Sequence, residues 1–329
     1  MLCIRGAGFP GPHLKRPLNK RGRYPLFLAG LFVGCSTLTI APMNDLPVFA
    51  PGQTVDVDGV VINYTSSTLI SQDPTLVLIH GFGASLETWH DIYPALSTRF
   101  RVVRLDLRGH GFSSKPEDDK YSLDDQARLV TAFINKLGLR KVVLVGHSLG
   151  GGVALLAYLQ SQDRRTDFET VGLVLIDSAG YPQELPFFVT TIRNPITRFF
   201  AYLLSPQFRA QLLLERVFSV KSRITADRVH RYAYFFDLPG SRNALKQTAK
   251  YIVPRNIDKL VGRFKQIAVP TLIVWGEQDS AVPIENAHRF NQDIGNSRLK
   301  VLPQTGHVPH EERPEQVLEA LADFMKVFQ

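Results

Sequence analysis

The chain has 329 residues, 44% hydrophobic and 21% charged, proportions that fit a folded globular protein and exclude extensive disorder or a multi-span membrane protein. Thirty-eight Lys and Arg against 30 Asp and Glu give a net charge of +8, but six of the basic residues (Arg5, Lys15, Arg16, Lys20, Arg21 and Arg23) lie in residues 1–34, which hold no acid. A nucleic-acid footprint should be a basic surface on the folded domain, so that class of partner is excluded.

In chain order the first element is a leader. The basic stretch is followed by the apolar run Pro25–Cys35, which continues to about Ala41. A positive segment, a short apolar segment and a small residue before a boundary form the layout of a secretory signal, shorter than the ~20 residues of a spanning helix. Gly34-Cys35-Ser36 resembles the processing site of bacterial lipoproteins, with Phe32 standing where that pattern usually has Leu. The resemblance implies lipidation of Cys35 and an exported, membrane-anchored protein facing the periplasm or cell envelope. An uncleaved anchor and an ordinary cleaved signal are the alternatives. Cys3 and Cys35 are the only cysteines, which leaves no disulfide or cysteine metal site in the domain that follows.

After a linker over residues 35–53, Thr54–Thr65 reads as two short strands around the turn pair Asp58-Gly59. Apolar, β-branched runs then alternate with helical stretches. The strands are Leu76–Ile79, Val102–Leu105, Val142–Val145, Leu173–Ile176, Leu272–Trp275 and Leu299–Leu302, and the helices Leu123–Leu137, Val153–Gln160, Ile284–Ile294 and Glu315–Val327. Continuously apolar strands separated by helices imply a doubly wound α/β fold with a mostly parallel sheet. Residues 54–180 and 251–329 form that core. Residues 181–250 hold no convincing strand and are dense in aromatics and arginine, and a structureless loop of that length would be anomalous. They are expected to form an inserted helical cap. It is basic, whereas the rest of the chain after the leader is net acidic.

The chemistry centres on Gly146-His147-Ser148-Leu149-Gly150, a G-x-S-x-G motif between a strand and a helix. The glycines are needed because the serine sits on a strained bend where flanking side chains would collide. A serine hydroxyl needs a base to take its proton, and that base needs a carboxylate to fix its tautomer. His307, after the last strand, and Asp279, after the preceding one, supply them in the order Ser–Asp–His. Asp177 also ends a strand and is the lesser candidate for the acid. The Leu149 N–H and the Phe82 N–H, in His80-Gly81-Phe82-Gly83, are the expected oxyanion donors. His80 reads as shaping its loop, His147 as lining the site, and His310 as solvent-exposed. No motif calls for a cofactor or metal, and none is expected.

These motifs, with Asp106-Leu107-Arg108-Gly109-His110-Gly111-Phe112-Ser113, resemble the α/β-hydrolase superfamily over roughly residues 54–329. The resemblance implies a cap seated over Ser148 and a structural role for the 106–113 stretch. It also speaks against the haloalkane dehalogenases and epoxide hydrolases of this fold, whose nucleophile is Asp. The expected function is hydrolysis of small-molecule carboxylic esters through an acyl-enzyme on Ser148. Carbon–carbon bond hydrolases of ring-cleavage products are the alternative, although they commonly have Asn and Trp where this chain has His147 and Val308. A non-catalytic binding protein is the third reading. Phe187-Phe188, Phe199-Phe200 and Phe235-Phe236, interleaved with Arg193, Arg198 and Arg231, are expected to form an apolar acyl pocket with a basic rim, with Phe187, Phe188, Phe199 and Phe200 as the substrate-binding candidates.

Overall fold

The computed structural model describes residues 49–69, 74–163 and 166–329. The leader and Cys35 lie outside the described residues. The chain opens with a hairpin of β1 (Gln53–Val57) and β2 (Val60–Ser66). Asp58 and Gly59 turn it with φ of 53° and 80°, the two positive values that this two-residue turn requires. There follow β3 (Thr75–Ile79), α1 (Tyr93–Ser97), β4 (Val102–Leu105), α2 (Leu123–Lys136), β5 (Lys141–His147), α3 (Leu149–Asp163) and β6 (Glu169–Ile176). Five helices come next: α4 (Phe187–Arg193), α5 (Pro195–Leu203), α6 (Pro206–Val217), α7 (Ala226–Phe236) and α8 (Ser241–Tyr251). The chain then closes with α9 (Ile257–Gly262), β7 (Thr271–Gly276), α10 (Glu285–Asp293), β8 (Ser297–Leu302), α11 (Pro309–Glu312) and α12 (Pro314–Met325).

The eight strands form one sheet in the order β1-β2-β4-β3-β5-β6-β7-β8. Only the β1–β2 and β2–β4 pairings are antiparallel. All five residues of β3 and all six of β7 are buried, because helices cover both faces. The period of two sorts the side chains. Val77, Ile79, Val142, Leu144, Leu173, Leu175, Ile273 and Trp275 join α2, α3 and α10 in one core. Leu76, Leu78, Val143, Val145, Val174, Ile176, Leu272 and Val274 face α1 and α12 in the other. Helix α2 begins at a capping box between Ser122 and Asp125, which satisfies its first free N–H groups. Helix α3 has no polar face; Leu149 to Leu159 are all buried, as a helix at the centre of the sheet must be.

Space is tightest where β5 turns into α3. A Cβ on Gly150 would stand 2.2 Å from the Ile79 carbonyl oxygen and 2.6 Å from that of His80. One on Gly146 would stand 2.3 Å from the Gly150 oxygen, and one on Gly151 2.1 Å from Ser178 Oγ. Gly150→Ala should therefore push α3 off the end of β3. We expect a loss of about 1–3 kcal/mol, read as a fall of several degrees in melting temperature, with lowered activity because the displaced loop carries Phe82.

Candidate active site

Ser148 leaves β5 with φ of 53°, a left-handed conformation that costs a non-glycine residue roughly 1–2 kcal/mol. The bend is held by four backbone hydrogen bonds. Ser148 N–H donates to the Ile176 carbonyl at 3.0 Å, and its own carbonyl accepts from Gly151, Gly152 and Ala179 at 3.0, 3.3 and 3.0 Å. Its Oγ lies 3.0 Å from Nε2 of His307, and Nδ1 of His307 lies 2.8 Å from Oδ2 of Asp279. Asp279 Oδ1 accepts from the N–H groups of Ala281 and Val282 at 2.7 and 3.0 Å, so the carboxylate is aimed from both sides. The network sets the tautomer: Nδ1–H donates to Asp279 and Nε2 accepts from the serine hydroxyl. All three side chains are enclosed, with Ser148 7% and His307 4% exposed and the Asp279 side chain fully buried.

The segments that carry the other expected donors lie beside Ser148. Leu149 opens α3, so its N–H is one of the helix's free donors. The 80–83 loop lies directly against the bend, since a Cβ on Gly81 would meet Ser148 Cβ at 3.2 Å. His80 fixes that loop by donating from Nδ1 to the Gly81 carbonyl (2.8 Å) and accepting the Leu107 N–H at Nε2 (3.0 Å). Asp106 is a buried strut. Its oxygens accept from Leu86 N–H (2.7 Å), Phe112 N–H (2.9 Å) and the Asn63 amide (2.7 Å), while burial raises its pKa to about 6.

Asp177 is fully buried beside the acid of the line. Its Oδ1 accepts the Gly276 N–H at 3.0 Å, and Asp177, Asp279 and His307 have donor atoms within 4.8 Å of one another. That spacing would suit a cation, but both His307 nitrogens are already engaged by Ser148 and Asp279, which makes the cluster a proton-handling one. Burial and the charge of Asp279 push the Asp177 carboxyl well up. At Asp279 burial acts in the same direction, but His307, Asp177 and the Val282 N–H outweigh it and hold the carboxyl low. The pair is therefore biased towards the proton on Asp177 and the charge on Asp279.

Three expectations need correction. His310 is not exposed: it is fully buried, its ring 4.5 Å from that of Trp89 and tilted by 33°, and its Nε2 donates to Thr88 Oγ1 at 2.9 Å. Arg231 is no rim residue; it is 8% exposed and paired with Asp227. Phe199 and Phe200 are each 61% exposed and line no cavity with Ser148, whereas Phe188 does and Phe187 lines a neighbouring one. Glu312 is a further residue at the site that the sequence did not single out. The buried Glu312 carboxylate accepts from Gly306 N–H at 2.9 Å and from Ser219 and Val220 N–H at 2.7 and 2.8 Å. His147, kept neutral by burial and by His307 (pKa lowered to about 3), donates from Nε2 to the His307 carbonyl at 2.7 Å.

Residues 74–314 match the model of the alpha/beta hydrolase fold family. The chain belongs to that family. The hydrolase is 34% identical to an uncharacterized hydrolase of Bacillus subtilis, YugF, over 84% of its own length and 98% of the relative's. It is 30% identical to the 2-hydroxy-6-oxo-6-(2'-aminophenyl)hexa-2,4-dienoic acid hydrolase of Metapseudomonas resinovorans, over 76% and 83% of the two chains. Among solved structures it resembles a membrane phospholipase A described as a bacterial virulence factor. There the identity is 27%, the TM-score 0.67, and the coverage 83% of this chain and 85% of that one.

Three substitutions test this site. Asp279→Asn should lower kcat by about 10⁴-fold by reversing the hydrogen bond that sets the tautomer, whereas Asp177→Asn, which replaces an already neutral group, should keep most of it. Because folding retains a proton on Asp177 that the unfolded chain releases, wild-type stability falls as pH rises above the unfolded carboxyl range, and Asn removes that loss. The melting temperature of Asp177→Asn relative to wild type should therefore climb between pH 5 and pH 8. Glu312→Gln turns an acceptor into a donor facing N–H groups, and should lower kcat at least tenfold with little change in KM, the mark of a misplaced His307 (about 1–3 kcal/mol per unsatisfied group).

Proposed function

We propose that this enzyme hydrolyses carboxylic esters with an apolar acyl group, through an acyl-enzyme on Ser148. The observation that carries the reading is the hydrogen-bonded line Ser148–His307–Asp279 opening into an apolar cavity of about 180 Å³, whose walls include Leu123, Leu155, Val189, Ile252 and Leu260. In the acylation step Ser148 Oγ attacks the ester carbonyl carbon as its proton passes to His307 Nε2. The carbonyl oxygen becomes an oxyanion facing the N–H groups of Phe82 and Leu149. Asp279 stabilises the imidazolium, which returns the proton to the departing alkoxide as the C–O bond breaks. Water, deprotonated by His307, then attacks the acyl-serine by the same route and releases the carboxylic acid.

The likeness to a membrane phospholipase A supports an ester substrate. The likeness to the Metapseudomonas resinovorans hydrolase favours the second reading, cleavage of a carbon–carbon bond in a ring-cleavage product. His147 and Val308 weigh against that reading. The leader, with Cys35 as its lipidation site, extends the proposal to a membrane-anchored, exported enzyme.

The test is turnover of p-nitrophenyl esters of increasing chain length and of a ring-cleavage product, by wild type and Ser148→Ala. We expect kcat/KM to rise from acetate to medium-chain esters and to fall by about 10⁴-fold or more in the variant. Strict preference for acetate removes the apolar acyl group from the proposal. Faster turnover of the ring-cleavage product than of any ester replaces it with the second reading.

A further inference from the structure

Helix α5 leaves its apolar side uncovered. Ile196, Phe199, Phe200 and Leu203 are 67%, 61%, 61% and 67% exposed, and their spacing of i, i+3, i+4 and i+7 puts them on one face of the helix. Leu204, Phe208 and Leu212 extend the exposed apolar surface towards α6, and Phe187 on α4 adds to it. Soluble proteins rarely leave such a patch open without a partner. Ala201 and Tyr202, also on α5, line a cavity of about 260 Å³ with Phe187, Ile192 and Leu213. Phe82 and Phe188, stacked at 5.9 Å with 19° between their planes, line both this cavity and the one that holds Ser148. A helix with an open apolar face therefore roofs a cavity that meets the reactive serine across one aromatic pair.

Charge distinguishes among the occupants of that face. Residues 187–217 carry Arg193, Arg198, Arg209 and Arg216 against a single acid, Glu215. Arg193 and Arg216 are exposed. A second copy of the chain, docked face to face, would set arginine against arginine. An anionic lipid surface meets both the apolar face and the basic flank. Phe49, the first described residue, packs on Tyr234 of α7 at 5.2 Å and accepts a hydrogen bond from its hydroxyl. The described chain thus begins beside α7 of the helical insertion.

We propose that α5, with the adjoining ends of α4 and α6, docks on an anionic lipid bilayer, and that the cavity beneath it leads an acyl chain from the bilayer to Ser148. Only the second half rests on the ester reading. The first half is tested on the full chain carrying Ser148→Ala, so that no chemistry intervenes. Phe200→Trp supplies the probe, because the native Trp89 and Trp275 are fully buried and give a fixed background. On vesicles of phosphatidylcholine and phosphatidylglycerol with brominated acyl chains, the emission of this variant should shift to the blue and be quenched. Adding Arg193→Glu and Arg216→Glu should weaken the apparent vesicle affinity about tenfold. An unshifted, unquenched signal while the protein sediments with the vesicles through its leader would overturn the docking face. Equal quenching on purely neutral vesicles would overturn its charge preference. A blue shift without vesicles that disappears on dilution, together with a dimer mass, would assign the face to a second copy instead.

The second half is read in the Ser148 enzyme. Phe199→Ser with Phe200→Ser should lower the ratio of vesicle-borne to dissolved ester turnover about tenfold. An unchanged ratio rejects the route through the second cavity. Failure of the ester reading itself would show separately, as hydrolysis that survives Ser148→Ala, and would leave the quenching result as it stands.

Discussion

Everything at the reactive centre depends on how closely three backbone segments approach one another at the end of β5. Ser148 can be presented in its left-handed conformation only because Gly146 and Gly150 let the strand and helix backbones touch, and because Gly150 also admits the end of β3. A single methyl group at either glycine would force the segments apart. The same contact seats the loop bearing Phe82 beside Ser148, so the nucleophile and its expected oxyanion donors are fixed by one steric solution. The conformational cost at Ser148 is offset by the hydrogen bonds around it and by the buried β-sheet on either side.

His307 is fixed by a different device. The Gly276 backbone meets the loop of Gly306 and His307 without room for a side chain, since a Cβ there would stand 1.9 Å from the Gly306 oxygen. His307 N–H donates to the Val217 carbonyl at the end of α6. Glu312 gathers Gly306 and the 219–220 segment on one carboxylate. Arg228 and Tyr232 of α7 bind Glu311 next to it, at 3.0 and 2.6 Å. Part of the polar network that seats His307 thus belongs to the helical insertion and to the short helix α11.

Much of this was legible in the sequence, and the boundary of what was legible has a physical cause. Continuously apolar strands and the glycine spacing around Ser148 are local signals, because they report constraints that act within a few residues. The order of Ser148, Asp279 and His307 was readable because each follows a strand end. Glu312 and His310 were not readable: their burial is decided by the segments 217–220, 88–89 and 228–232, which reach them only through the fold. Locally, His-Glu-Glu before Pro314 has the composition of a solvated helix start. The four cap phenylalanines divided for the same reason. Phe188 turns to the cavity and Phe199 to solvent, and composition alone carries no direction.

The attachment of His307 to the insertion also constrains mechanics. Helices α6 and α7 cannot swing outwards as one rigid flap, because the pivot would pass through Val217, Glu311 and Glu312 and would dismantle the base along with the roof. Among the described residues α4, α5 and α8 make none of those ties, so breathing of the cavity would fall to those helices. The insertion is consequently a wall of the machine and not an accessory fastened over it; excising residues 187–251 would remove the Val217, Ser219 and Val220 contacts on the loop of His307 and loosen that histidine while uncovering it.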